Sequence, residues 1–120
     1  ALPLCGLHLD DRFADLRELV DRGGAAAIAT NYNPGSAPGQ SMAIAIWAAV
    51  KKCGLDWREA VTAATVNAAA VLGLTDRGII SPNSRADLII LDERDERALA
   101  YVIGGPPLHR VICGGKIFPD

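Results

Sequence analysis

Over residues 1–53, short apolar runs alternate with stretches in which apolar residues recur at helical spacing. This alternation predicts strands joined by helices. Residues 2–7 form a short apolar run interrupted by a proline and a glycine, which predicts a strand end leading into a loop. A helix capped by Asp10 or Asp11 and ending at residues 23–24 is predicted next, from four apolar residues at helical spacing: Phe13, Leu16, Leu19 and Val20. The alternation is typical of a parallel sheet with crossover helices.

A continuous run of small apolar residues at 25–30 predicts a strand buried on both faces. It ends in the sequence Asn-Tyr-Asn-Pro-Gly-Ser at residues 31–36, where the chain must turn. Residues 41–53 are apolar nearly all round. They predict a helix that is covered on more than one side and ends at Gly54.

The next predicted helix carries the strongest signals in the chain. Asp56 and Glu59 have the spacing of a capping box, and Gly73 marks the end of the helix. One apolar stripe lies between them: Trp57, Val61, Ala64, Ala68, Val71 and Leu72.

From residue 75 the pattern changes to short apolar runs that are typical of strands. Four such runs are present, at residues 77–80, 87–92, 110–113 and 116–118. Gly114 and Gly115 separate the last two as a two-residue hairpin turn, and residues 93–103 have room for a short helix. The chain is therefore predicted to divide into an α/β part up to about residue 74 and a strand-rich part after it.

Composition excludes several classes of protein. The 120 residues can bury one core but are fewer than half of the ~250 residues of an α/β barrel. The 12 basic and 14 acidic residues are spread evenly, so neither nucleic acid nor an acidic membrane is an expected partner. No apolar run approaches the ~20 residues that span a bilayer, and the first residues lack the basic region of a signal peptide. These features predict a soluble, cytoplasmic protein.

The cysteines and histidines do not form a recognisable metal or redox motif. Cys5, Cys53 and Cys113 are far apart and lack CxxC spacing, which predicts buried thiols. His8 and His109 stand alone, without an HxH or HExxH partner, which favours structural or surface roles.

Residues 30–40 are the strongest candidate for chemistry. They follow a predicted parallel strand, and ligands gather at the carboxyl ends of such strands. The asparagine amides, the hydroxyls and the helix-breaking residues could form a polar site. Alternatively, Asn31 and Asn33 could bond their own backbone as Asx-turns in a plain connection. The residues alone leave both interpretations open.

Residues 29–36 resemble the signature of imidazolonepropionases around the last barrel strand of the metal-dependent amidohydrolases. Further segments resemble the C-terminal region of that superfamily in the same order, at residues 65–69, 72–74, 76–78, 85–88 and 111–116. These later motifs are generic for amidohydrolases. The Asn-Pro-Gly-Ser turn is the part that points to imidazolonepropionase.

The resemblance implies an α/β fold, in which residues 1–74 form the C-terminal part of a TIM barrel and residues 75–120 form strands of a small β-sandwich. In the family, other strands complete the sandwich and earlier barrel strands supply the metal-binding histidines. The resemblance therefore implies a C-terminal fragment, inactive alone, that associates with a missing N-terminal part or forms an oligomer. An incomplete barrel is expected to expose the apolar helix face around Ile44, Ile46 and Trp47.

Enzymes of this family hydrolyse 4-imidazolone-5-propanoate to N-formimino-L-glutamate in histidine degradation, with a water activated by Zn or Fe. The resemblance places Asn31 at the position of the family's acidic metal ligand, where a neutral carboxamide cannot act as a base near pH 7. It also implies that Asn33 and Gly35 contact the product and that Ser36 contacts the small-molecule substrate. Substrate binding is therefore better supported than turnover.

Two other functions fit the same residues. The chain could be a non-catalytic binding or scaffold domain derived from the superfamily, in which Asn31 marks a lost metal ligand. It could also belong to an amidohydrolase that acts on another cyclic amide, because only the short turn indicates imidazolone.

Overall fold

A computed structural model describes residues 1–106 and 108–118 of the chain. Within that part there are six helices: α1 (Pro3–His8), α2 (Leu16–Asp21), α3 (Met42–Lys52), α4 (Trp57–Ala64), α5 (Val66–Val71) and α6 (Ala98–Tyr101). Three strands complete it: β1 (Leu88–Leu91), β2 (Leu108–Cys113) and β3 (Lys116–Ile117). None of the described helices has the length and apolarity to cross a bilayer.

The three strands form an antiparallel sheet in the order β1, β2, β3. Cys113 pairs with Lys116, so Gly114 and Gly115 form the predicted two-residue turn, with φ of 58° and 79°. The predicted strand at residues 77–80 is wrong. This stretch is a bend in which Gly78 has a φ of 93°, and it pairs with none of the three described strands.

The N-terminal predictions need two corrections. Residues 2–7 do not end a strand, because the segment folds as α1, with its proline in the first turn where a missing N–H costs no hydrogen bond. The cap of α2 is Asp15, whose carboxylate accepts from the Glu18 N–H at 2.9 Å. Neither Asp10 nor Asp11 caps that helix, which begins later than its apolar spacing suggests.

Residues 25–30 are extended but do not form the predicted strand. The Ala1 amino group donates to the Ala27 carbonyl oxygen at 2.5 Å, and the Ala29 N–H donates to the Ala1 carbonyl oxygen at 3.2 Å. This is the bonding pattern of a parallel pair centred on Ile28, which is only 3% exposed. Ala26 and Ile28 are buried but Ala25 and Ala29 are exposed, so the predicted burial on both faces is wrong, and Ala1 is the residue that pairs with the segment as a strand would.

The two central helices begin where the sequence predicts. The Ser41 hydroxyl caps α3, and Asp56 and Glu59 form the complete capping box of α4. The single predicted helix after Asp56 is interrupted at Thr65, whose backbone leaves the helical region with φ −120° and ψ −92°. As a result α5 turns away, and Val71 at its end is 76% exposed.

Small side chains dominate the core. Five of the buried apolar residues have no exposed surface, and all five are alanines: Ala37, Ala45, Ala48, Ala49 and Ala60. Ala49 and Ala60 belong to the main cluster with Leu16, Ile28 and Ala100 of α6, and Ala37 and Ala45 belong to a second, smaller cluster.

The apolar face of α3 is covered, contrary to the expectation of an exposed face. Ile46 is 7% exposed, and Ile44 and Trp47 are half-buried, because α1, α4 and α6 all pack on α3. The division of the chain at residue 74 stays a prediction.

Candidate functional site

The turn after residue 30 is held against two helices. The Asn33 N–H donates to the Ala37 carbonyl oxygen at 3.0 Å, and the Ala37 N–H donates back to the Asn33 carbonyl oxygen at 3.3 Å. Ala37 is fully buried in a small cluster with Leu4 of α1 and Ala45 of α3. The backbone that carries the polar residues between 33 and 37 is therefore anchored in the core.

The Asn33 carboxamide organises this turn. Its Oδ1 accepts from the Gly35 N–H at 2.9 Å and from the Ser36 N–H at 2.8 Å. Its Nδ2 donates to the Asn31 carbonyl oxygen at 2.7 Å and to the Ser36 hydroxyl at 2.9 Å. The Asx-turn interpretation is confirmed for Asn33 but not for Asn31, whose side chain bonds Cys5, and the turn brings together Asn33, Gly35 and Ser36. The Gly35 N–H is committed to Asn33, so it is not free for a ligand.

Asn31 adopts a left-handed backbone conformation, with φ of 52°. Asparagine tolerates this region better than most residues, which explains why the chain can turn sharply here. The exposed side chain donates from Nδ2 to the Cys5 sulfur at 3.1 Å. The candidate metal position is thus joined by its amide to a thiol of α1.

The described residues do not form a metal site. No group of three or more His, Cys, Asp or Glu side chains within residues 1–106 and 108–118 comes close enough to hold an ion. Asn31 brings a neutral amide whose nitrogen donates to Cys5, which leaves only the uncharged carboxamide oxygen to face an ion. His8 and His109 are both exposed. These residues therefore do not fit a metal by themselves.

Cys5 is the neighbour of the site that sequence reasoning missed. It lies 26 residues before Asn31, and the contact exists because α1 packs on α3 beside the turn. No local pattern reports such a contact. Thr30, which lies in the predicted segment, supports the start of the turn, since its hydroxyl accepts from the Tyr32 N–H at 3.3 Å.

The three thiols have different environments. Cys53 is 3% exposed, and burial raises the pKa of its thiol. Cys5 is half-buried and Cys113 is exposed, with the guanidinium of Arg85 3.6 Å from the Cys113 sulfur. The prediction of buried thiols therefore holds for Cys53 alone.

Residues from three of the generic motifs form a charge cluster at the Gly114–Gly115 hairpin. The Asp87 carboxylate accepts from Arg85 Nε at 2.8 Å and from the Gly114 N–H at 2.8 Å, and Arg77 lies 3.5 Å away. The hydrogen bond from Arg85, followed by that from Gly114, lowers the pKa of Asp87. These residues fasten the hairpin turn to the preceding loop.

Comparison with known proteins gives consistent results. A family model described as the amidohydrolase family matches residues 5–118. An imidazolonepropionase of Deinococcus deserti is 46% identical over 114 residues, which cover 95% of this chain and 29% of that protein. An imidazolonepropionase of Rubrobacter xylanophilus is 40% identical over 119 residues, or 98% of this chain and 29% of that protein. The chain thus spans about 29% of the length of these curated relatives.

A solved structure shows the same fold. Aminofutalosine deaminase of Helicobacter pylori matches with a TM-score of 0.78 at 23% identity. The match covers 98% of this chain and 31% of the deaminase. At this level of identity the likeness concerns the fold.

Proposed function

Because the chain belongs to the amidohydrolase family, we propose that it is the C-terminal portion of an imidazolonepropionase-like enzyme that hydrolyses 4-imidazolone-5-propanoate to N-formimino-L-glutamate in histidine degradation. The observation that carries the proposal is the rigid turn of Asn33, Gly35 and Ser36, which directly follows an extended segment in parallel register with Ala1. A polar turn in this place suits a small polar heterocycle with a carboxylate tail.

Each residue of the turn has a share in substrate binding. The Ser36 hydroxyl is half-buried, and its oxygen has a second lone pair beyond the bond from Asn33, so it can accept from a ring N–H. Gly35 has no side chain to block approach to the turn. Members of the family are metal-dependent, and Zn or Fe is proposed for the complete enzyme. Because the described residues do not fit a metal, no step of the reaction is assigned to an ion held by this chain.

Two kinds of backbone pairing, one parallel and one antiparallel, support the proposed architecture. Residues 1–74 are proposed to be the last β/α units of a TIM barrel, supported by the parallel register of Ala1 with Ala27 and Ala29. Residues 75–120 are proposed to belong to a β-sandwich, supported by their antiparallel sheet.

An open apolar groove supports association with further polypeptide. The groove has a volume of about 430 Å³, and Ala1, Ile28, Val71 and Leu72 are among its lining residues. Val71 and Leu72 are more than two-thirds exposed, which is costly for large aliphatic side chains. We propose that the rest of the enzyme, or another copy in an oligomer, covers this face, in a cytoplasmic protein that binds neither nucleic acid nor membranes. The proposal would be contradicted if the 120-residue chain elutes as a monomer in size-exclusion chromatography and unfolds in a single cooperative thermal transition.

The activity test compares two forms of the protein. The protein as the cell produces it is expected to hydrolyse 4-imidazolone-5-propanoate when Zn²⁺ or Fe²⁺ is supplied, and the 120-residue chain alone is expected not to. Ser36→Ala should raise KM by about tenfold, the effect of one lost hydrogen bond of about 1.4 kcal/mol. Hydrolysis by the isolated chain would contradict the claim that it is inactive alone.

A non-catalytic binding or scaffold domain is the second candidate function. The observation in its favour is Asn31, a neutral amide bonded to Cys5 at the position of the family's acidic ligand. Asn31→Asp in the complete protein separates the two, because an enzyme should show metal-dependent hydrolysis with Asn31 or with Asp at this position, and a scaffold should show none in either form. A panel of cyclic ureas and amides would detect an enzyme with another substrate.

A further inference from the structure

We propose that the protein carries a contact surface for a second copy of itself around Trp57. The surface consists of Trp57, Arg58 and residues 92–97, and we call it the Trp57 surface. It lies where the first turn of α4 meets the segment before α6, around a groove of about 510 Å³. It shares no residue with the apolar groove that Ala1 and Leu72 line, so the inference goes beyond the proposed function and does not depend on it.

The charges of residues 92–97 are only partly paired within the chain. The Asp95 carboxylate accepts from Arg97 Nε at 2.9 Å and from the Arg97 N–H at 3.0 Å, so this pair is satisfied internally and fixes the segment. Arg94 and Glu96 are exposed and make no ion pair with any residue among 1–106 and 108–118. A cation and a carboxylate, two positions apart, therefore face solvent from an anchored backbone.

Trp57 and Arg58 add an aromatic anchor to these charges. The Arg58 guanidinium lies over the Trp57 ring, 4.6 Å from the ring centroid. A stacked guanidinium keeps its N–H groups for a carboxylate in its own plane, and Arg58 makes no ion pair in the part of the chain that the structure describes. Tryptophan and arginine are among the residue types that contribute most to binding energy at protein interfaces. The surface thus combines aromatic area with unpaired charges of both signs.

The Trp57 surface continues into a second groove. This groove has a volume of about 500 Å³ and shares Asp95 and Arg97 with the first. Tyr101 lines it and is 76% exposed. A stable interface buries ~800 Å² on each partner, so it needs a broad surface. The two adjoining grooves supply such a surface, with an aromatic ring at each.

The mixture of charges indicates a second copy as the partner. A polyanion would meet Glu93 and Glu96 as well as the arginines, and would be repelled by them. A two-fold axis brings a surface against itself, and a surface with both signs of charge is then complementary to itself. In this arrangement Arg94 meets the partner's Glu96, and Glu96 meets the partner's Arg94. Each ion pair therefore forms twice in the dimer.

The test is a charge swap in the protein as the cell produces it, followed by sedimentation velocity. The wild type is expected to be a dimer. Arg94→Glu and Glu96→Arg should each raise the dimer dissociation constant by about 100-fold, because each places two like-charged pairs across the axis. An equal mixture of the two variants should form a heterodimer with a dissociation constant within about tenfold of wild type, because both pairs then have opposite charges.

Lys51→Glu is the matched control. It makes the same change in net charge as Arg94→Glu, at an exposed position that lines neither groove. It should leave the dissociation constant within about threefold of wild type. A second measurement needs no variant, because raising the salt from about 0.05 M to about 0.5 M should weaken the wild-type dimer by about tenfold or more as its ion pairs are screened.

A monomeric wild type, single variants that dimerise as well as Lys51→Glu, or a mixture that stays monomeric would overturn the inference. A charge reversal that lowers the thermal midpoint but leaves the dimer intact would show that the rest of the same polypeptide covers the Trp57 surface, and would overturn it as well. If the protein forms this dimer but does not hydrolyse 4-imidazolone-5-propanoate, the proposed function fails and the inference stands.

Discussion

The side-chain amide of Asn67 donates a hydrogen bond of 2.7 Å to the carbonyl oxygen of Ala26, which lies 41 residues earlier in the chain. Two residues further along the same segment, the Ile28 N–H donates to the Ala63 carbonyl oxygen at 3.1 Å. The α4–α5 junction thereby satisfies backbone groups on the side of residues 25–30 that does not face Ala1. Polar groups of a buried extended segment need such partners.

Asn67→Ala should lower the free energy of unfolding by about 1–2 kcal/mol, because the half-buried Ala26 carbonyl group loses its partner. Urea unfolding would measure this loss. Thr62→Ala, at an exposed position of α4, is the control and should change stability by less than about 0.5 kcal/mol. Equal effects of the two substitutions would show that the long-range bond is not important.

Gly78→Ala should destabilise the protein more than Gly73→Ala, by about 1–3 kcal/mol. Both glycines have positive φ, but a Cβ at Gly78 would lie 2.8 Å from the Val66 Cα, whereas a Cβ at Gly73 would meet nothing within 4 Å. The difference between the two variants isolates this clash from the backbone cost. Matching thermal midpoints would contradict the close approach of the chain at Val66.

Stability should fall as the pH is lowered from about 5 towards 2. The guanidinium of Arg97 lowers the pKa of Asp95 from 3.8 to about 2, and neighbouring arginines lower the pKa values of Asp76 and Asp87. Carboxylates with a lowered pKa stabilise the folded state above their unfolded pKa, and this contribution is lost as the pH falls through the folded value. Thermal melts across this range should show a weaker pH dependence for Asp95→Asn. Identical profiles for the variant and the wild type would exclude the contribution of Asp95.

The three thiols should react with iodoacetamide in a fixed order. Cys113 is exposed and should react first, Cys5 should follow, and Cys53 should react only after unfolding, because it is buried and its thiol pKa is raised. Mass spectrometry of peptides from a timed reaction would give the order. Early modification of Cys53 would show that the core opens around it.

Elements whose signals are local could be predicted from the sequence. The Ser41 cap of α3, the capping box of Asp56 and Glu59, and the Gly114–Gly115 turn each involve residues only a few positions apart. The Asx-turn of Asn33 is of the same kind, and its residue types predict it as one of two interpretations.

Features that depend on distant partners could not be predicted in this way. A strand needs a neighbour, and the apolar pattern of residues 25–30 does not reveal that α4 and α5 occupy one side of the segment. The contact of Cys5 with Asn31 likewise requires the packing of α1 on α3. The short apolar run at residues 2–7, interrupted by a proline and a glycine, predicts a strand end, although proline also suits the first turn of a helix.

The alanines of the core reverse the usual pattern of tolerance to mutation. In a core of large side chains, truncation leaves cavities and is the main source of damage. At Ala45, Ala48, Ala49 and Ala60 there is almost nothing to truncate, and the helices around them approach closely because these side chains are small. The close approach of the helices therefore sets an upper limit on side-chain volume at these positions, and a larger side chain there would have to push the helices apart.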